Sequence, residues 1–482
     1  MIAPEMIHPR IDPTLPVRPV LTRDEALAIG RRVLELSHGG IQAVRLEHRV
    51  TGITRISRVR RTGSADREVV QLGIVSEYGG KASVSLSTNQ LDDATLKVAV
   101  PYLERVARTR LGSSLDIWRG LFDKGPRSHL PVELWHESTV EALADVRTEK
   151  LSAILDATQS ANLRSSIFAG AAARALCYVH ADGLTAYGQE TDAEISVTCW
   201  TSDGKGSGWG GVASRNWTTL DPLEATQTAI DIAQRSTTIH ALEPGRYTTI
   251  LGRTAVAQLM TGMDDEFNAH YVYDGITALT APGGTSKVGQ RVFDARISLR
   301  SDPADPDGGY FPFVMDGQWN TNGLPVVPMT WVDHGVLKHL AYEPNYAAQR
   351  GMSLVADPPR SIRVEATAPH ATVEEMIAAC KRGIYVNRFS GISRDDQASD
   401  LLTGVTRDGC FLVVDGKINR AIKNFFFRAS PFFAWNALEM VGESRRAAMG
   451  YTPNNGEWPS PPIIAPPMMV TDFNFFALAD AV

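Results

Sequence analysis

The stretch from Gly383 to Ala429 most constrains what this chain can fold into. Phe411–Val414 is a continuous apolar run. Asp415-Gly416 follows, and Lys417–Lys423 then sets apolar Ile418 and Ile422 among Lys417, Asn419 and Lys423. An Asp-Gly between two such runs suits a type I′ turn, whose two central residues both need positive φ. The pattern predicts a β-hairpin at the centre of a β-rich C-terminal region. A second turn is expected at Arg407-Asp408-Gly409.

At 482 residues the chain is too long for one compact core, so two large domains are expected. The boundary falls at Leu242-Glu243-Pro244-Gly245-Arg246. Residues 1–20 read as a Pro-rich arm and 21–240 as an N-terminal domain of helices and antiparallel strands. Residues 241–482 read as a mostly β, barrel-like domain, and the class is α+β. A hydrophobic content of 43% with 21% charged residues is that of a globular protein. The net charge of -6 offers no basic footprint for nucleic acid. No run approaches the ~18–20 apolar residues of a membrane span, and the N-terminus lacks the apolar core of a signal peptide. The expectation is a cytoplasmic protein without nucleic-acid or membrane partners. The four cysteines, Cys177, Cys199, Cys380 and Cys410, make no CxxC pair and are expected as buried reduced thiols.

Local signals place the elements. Thr22 and Glu25 form a capping box for a helix that Gly39-Gly40 ends. Ile41–Ser87 reads as a strand meander, closed by a turn at Gly79-Gly80. Helices follow from Leu91 to Arg108, with a kink or break at Pro101, and from Thr139 to Ser160. Asp182-Gly183 marks a hairpin. The glycine-rich Asp203–Gly211 lacks the order of a phosphate loop and reads as a hairpin tip. Asp221-Pro222 starts a helix to Arg235. Another helix is expected from about Thr254, with the polar end Met263–His270, and Thr372 with Glu375 caps a further one.

The segment GVTRDGCFLVVDGKINRAIKNFFF, residues 404–427, resembles the TldD/PmbA family, which reads G-x-T-R-D-G-x-F-x-I-E-N-G-K-I-x-x-P-V-K-N here. Ala421 stands where the family commonly has Pro. Pro244–Leu251 is similar to the family's P-G-x-Y-x-V-I-L strand, Ser430–Gly442 to its terminal helix, and Pro466–Phe475 to its closing strand. The resemblance implies a comparison with TldD-type zinc peptidases, which carry H-E-x-x-x-H on the first helix of the C-terminal domain and a cysteine ligand near the chain end. Zinc takes His, Cys or carboxylate ligands, keeps a position open for water, and draws that water's pKa to about 7. The aligned segment here is Asp265-Glu266-Phe267-Asn268-Ala269-His270. The first histidine is Asp265, while Glu266 and His270 hold the second and last places. Tyr451–Pro462 contains no cysteine, and Glu457 is its only carboxylate. On a regular helix Glu266 and His270 share a face, whereas Asp265 and His270 lie about 140° apart.

Three functions stay open. The resemblance implies a member closer to the PmbA/TldE-like branch, which lacks the intact motif. Such a chain is a subunit of a TldD-type peptidase complex acting in proteolysis or peptide maturation, with no cofactor of its own. Its partners are a TldD-like subunit or a second copy, and an unfolded peptide held by strand addition. The second reading is an autonomous metallopeptidase, with Asp265 and His270 as zinc ligands and Glu266 as general base. The third is a peptide-binding modulator without hydrolysis. The plain structural alternative is a solvated helix face with a Glu266–His270 pair. His334 and His339 fall on opposite faces of a strand, and neither a G-x-S-x-G elbow nor a dinucleotide fingerprint is present.

Overall fold

The structure is a computed structural model that describes residues 20–57, 60–78, 82–109, 128–143, 147–314, 323–342, 346–347, 350–353, 355, 361–367, 369–450 and 461–479. The Gly79-Gly80 turn, Glu457 and all of the N-terminal arm but Val20 lie outside these residues. The described residues are 25% helix and 43% strand, with a mostly β C-terminal part that includes a closed five-stranded barrel, an α+β fold.

The N-terminal sheet contains β1 (Ile41–Ser57), β2 (Arg60–Tyr78), β3 (Ala82–Thr88), β4 (Arg164–His180), β5 (Thr185–Trp200) and β6 (Ser207–Ser214). Its order is β3-β2-β1-β4-β5-β6, with every neighbour antiparallel. Helices α1 (Arg23–Glu35), α2 (Asp93–Thr109), α3 (Glu137–Glu141), α4 (Arg147–Ser160) and α5 (Pro222–Arg235) accompany it. The Thr22–Glu25 capping box is present in full. Strand β5 has two different faces. Ala193, Ile195, Val197 and Cys199 join the apolar cluster under α4 and α5, while Glu190, Asp192, Glu194 and Ser196, also buried, alternate with them.

Several expected elements differ. The glycine-rich tip is confined to residues 203–206, and Ser207 already begins β6. Gly208 and Gly210 let α5 lie directly on that strand, because a Cβ at either position would collide with the Ala229 or Ala225 carbonyl. Helix α2 runs unbroken through Pro101. The single helix expected over Thr139–Ser160 is two, α3 and α4.

In the C-terminal part, β7 (Ile239–His240) and β8 (Gly245–Leu251) come first, then α6 (Arg253–Leu259) and α7 (Ala269–Tyr273). Helix α8 (Val373–Ala379) has the second capping box. It precedes β9 (Arg382–Asp396), β10 (Leu401–Val414), β11 (Lys417–Ile422), β12 (Phe425–Ala429) and β13 (Met468–Leu478). The barrel runs β9-β8-β13-β12-β10 and closes by β10 pairing with β9; β11 and then β7 extend from β10. Phe389, Phe427, Phe473 and Phe475 are buried in the core, with Phe389 and Phe427 ring centroids 4.3 Å apart.

Asp415 and Gly416 have φ of 46° and 76°, as the hairpin turn between β10 and β11 requires. Asp408-Gly409 is not a turn. It forms a bulge inside β10, where the register to β9 shifts between Val386 and Arg388. The Ser430–Gly442 stretch holds only the short helix Pro431–Ala434 and a 3₁₀ turn before the strand Leu438–Val441. All four cysteines are buried. Among the described residues no helix is long and apolar enough to cross a membrane.

Candidate functional site

The helix expected from Thr254 through His270 is interrupted. Helix α6 ends at Leu259, and Gly262 turns the chain with a left-handed φ of 83°. Met263–Phe267 is a 3₁₀ turn, and Asn268 starts α7 by accepting the His270 N–H at 3.0 Å. Glu266 and His270 therefore belong to different elements.

Glu266 is fully buried, with Oε2 accepting the Ala278 N–H at 2.7 Å. Among the described residues Oε1 accepts no hydrogen bond; Arg394 Nη2 lies 3.9 Å away. Arg394, from β9, serves three acids. Its Nε donates to Asp400 at 3.0 Å, and Nη1 stands 3.6 Å from Asp265. Its Nη2 donates to the Gly262 carbonyl at 2.6 Å, which fastens the chain turn to β9. Burial first, and then the charge of Asp400, raise the Glu266 carboxyl from 4.5 to about 8. At neutral pH it holds its proton.

His270 is half-exposed and looks elsewhere. Its Nε2 lies 3.3 Å from Asp274, and its ring stacks on Tyr346 with centroids 5.0 Å apart. The structure thus brings Asp265 and Glu266 to one guanidinium and places His270 against Tyr346. Among the described residues no group of three or more His, Cys, Asp or Glu is arranged to hold a metal ion. The donors as placed do not fit zinc. A cation already stands beside both carboxylates, one carboxyl is protonated, and the imidazole does not converge on them.

A second polar region joins the N-terminal sheet to the C-terminal part. Glu190 accepts from Arg174 Nε at 2.8 Å and from Arg215 Nη1 at 3.1 Å. Asp192 pairs with Arg446 at 2.5 Å, and Glu194 accepts the Gly450 N–H at 2.9 Å and the Met449 N–H at 3.4 Å. Beside them Asn387 donates to the Trp209 carbonyl, and Arg388 stacks on the Trp209 ring at 4.8 Å. Arg388 also pairs with Asp408 in the bulge, so that bulge serves to aim a buried carboxylate.

A sequence model of the PmbA/TldA metallopeptidase C-terminal domain matches residues 244–476. Residues 244–476 thus form a C-terminal domain of the TldD/PmbA family. Solved structures share the fold over nearly the whole length. TldE from Thermococcus kodakarensis superposes with a TM-score of 0.77 at 16% identity, covering 93% of this chain and 99% of that one. A candidate modulator of a DNA gyrase from Thermotoga maritima gives 0.75 at 16% identity, with 93% and 99% covered. Another from Bacteroides thetaiotaomicron gives 0.75 at 15%, with 95% and 100% covered. No curated protein matches the sequence.

Within this TldD/PmbA-type domain, sequence reasoning missed Arg394 and Asp400. They lie more than a hundred residues from Glu266 in a strand and turn without a motif. It also missed the row Glu190, Asp192 and Glu194, although its period of two was there to be seen.

Proposed function

We propose that this chain is a TldE-like, non-catalytic subunit of a TldD-type peptidase pair in the cytoplasm, holding unfolded peptide for a partner that carries the metal motif. The observation that carries this reading is Arg394. Its guanidinium stands between Asp265 and buried Glu266, where a metal-binding member would place a cation and its activated water. Glu266, buried with its carboxyl raised to about 8, is mostly protonated at neutral pH and already engaged by the Ala278 N–H, a poor setting for a general base. The likeness of fold to the Thermococcus TldE supports the same assignment.

The test is co-purification with a TldD-type protein bearing an intact H-E-x-x-x-H, followed by a peptidase assay. The expected result is a stable complex, no hydrolysis by this chain alone, and hydrolysis by the pair that survives Glu266→Gln. Hydrolysis by the chain alone, lost on chelation and in His270→Ala, would establish the autonomous metallopeptidase instead. Peptide binding without hydrolysis, alone or paired, would leave the modulator.

A further inference from the structure

Beside His270 the chain clusters three tyrosines and sets one guanidinium against two of them. Arg350 lies 3.8 Å from the Tyr273 ring centroid and 4.8 Å from that of Tyr346. The Tyr273 and Tyr346 rings are 6.1 Å apart and inclined at 43°. Tyr342 secures the arrangement. Its hydroxyl meets that of Tyr273 at 3.3 Å, and its ring lies 6.4 Å from Tyr346 at an angle of 24°. Tyr342 is buried, Tyr273 and Tyr346 are half-buried, and Arg350 is exposed. His270 packs on Tyr346 as well.

We propose that Tyr273, Tyr342 and Tyr346 form a box for the cationic side chain of a bound peptide, arginine foremost, and that Arg350 is its own occupant in the free chain. The chemistry favours a guanidinium. Its flat, weakly hydrated cation stacks on aromatic faces better than a compact ammonium does. The rings are held by packing and a hydroxyl pair rather than by the arginine alone, so the box stays assembled when its occupant leaves. Arg350 is easily displaced. Among the described residues it has no carboxylate partner, and a cation–π contact at an exposed position is worth only about 0.5–1 kcal/mol. A peptide arginine that also makes main-chain contacts competes well against it. The ligand class rests on the peptide-holding reading above, but the box is tested on this chain by itself.

The experiment is titration of the full-length protein with two dye-labelled pentapeptides, alike except for a central arginine or citrulline. Citrulline keeps the shape and removes the charge. Arg350→Ala is expected to bind the arginine peptide about two- to fivefold more tightly than the unaltered chain, with no gain for the citrulline peptide. Tyr273→Leu added to Arg350→Ala is expected to cancel the gain. The proposal is overturned if Arg350→Ala gains nothing, or gains equally for both peptides. Should Arg350→Ala unfold, Arg350→Gln keeps most of the side chain without its charge, and the same outcomes decide. Binding in this assay with no hydrolysis beside any partner would keep the box and sink the subunit reading. Hydrolysis by a pair without the arginine preference would do the reverse.

Discussion

Two buried carboxylate regions sit in one chain and are solved in opposite ways. On β5, Glu190 is paired with two arginines, Arg174 and Arg215. Burial by itself would raise its pKa, yet the charges of Arg174 and Arg215 bring it below its ordinary value. In the C-terminal part, Asp265, Glu266 and Asp400 share one arginine among the described residues, Arg394, and Glu266 is raised to about 8. The same fold keeps one carboxylate charged and another neutral according to how many guanidiniums it supplies. The first arrangement ties two parts of the molecule together. The second stores a proton where relatives with the full motif are expected to place a metal.

The largest test breaks the first region. Glu190→Ala takes from Arg215, a buried guanidinium, its paired carboxylate; among the described residues its remaining hydrogen bonds go to the Thr191 and Gly309 carbonyls. Removing one partner of a buried pair costs about 3–5 kcal/mol. Asp265→Ala, which removes a half-exposed carboxylate 3.6 Å from Arg394, is expected to cost under about 1 kcal/mol. Thermal or urea unfolding of both variants makes the comparison, and equal losses would erase the distinction drawn between the regions.

A smaller effect isolates the second region. Between pH 4.5 and about 8 the folded chain keeps a proton on Glu266 that the unfolded chain has released. Stability therefore falls as pH rises through this window and is fully present below it, by up to about 1.4 kcal/mol per unit. Glu266→Gln imitates the protonated form and is expected to lose that slope, standing about 2–4 kcal/mol above the unaltered chain at pH 8. Melting midpoints measured across pH 5–9 read it directly. A slope unchanged by the substitution would mean that Glu266 is charged in the folded chain.

How much of this was legible in the sequence follows from where each signal lives. Asp415-Gly416 and the boxes Thr22–Glu25 and Thr372–Glu375 carry their reasons within four residues, and each formed as expected. Asp408-Gly409 is nearly the same dipeptide as Asp415-Gly416. It became a bulge because Asn387 and Arg388 on the neighbouring strand hold it in register. Whether such a pair turns or bulges is decided by its partner strand, which no local pattern reveals. The candidate site divides in the same way. Asp265, Glu266 and His270 could be named from spacing and resemblance. Their separation depends on Gly262 entering a left-handed conformation and on Arg394 reaching its carbonyl from β9. Both are tertiary facts. Tyr346 covering the imidazole is another.

The finest test asks whether the two raised carboxyls can be told apart. Glu194 is also buried, and burial followed by the charge of Asp192 raises it, but only to about 7. Two backbone N–H groups, from Met449 and Gly450, reach it where Glu266 receives one. Each such donor favours the charged form. The window over which Glu194 costs stability therefore closes near pH 7, a unit below that of Glu266. Glu194→Gln retains an acceptor oxygen for Gly450, and its gain at pH 8 is expected to be about 1 kcal/mol. The interval from pH 7 to 8 then separates the sites. The remaining loss of stability there should persist in Glu194→Gln and vanish in Glu266→Gln. If Glu194→Gln removes it instead, the junction between the two parts of the chain holds the more strongly perturbed proton, and Arg394 charges Glu266 more effectively than a distance of 3.9 Å implies.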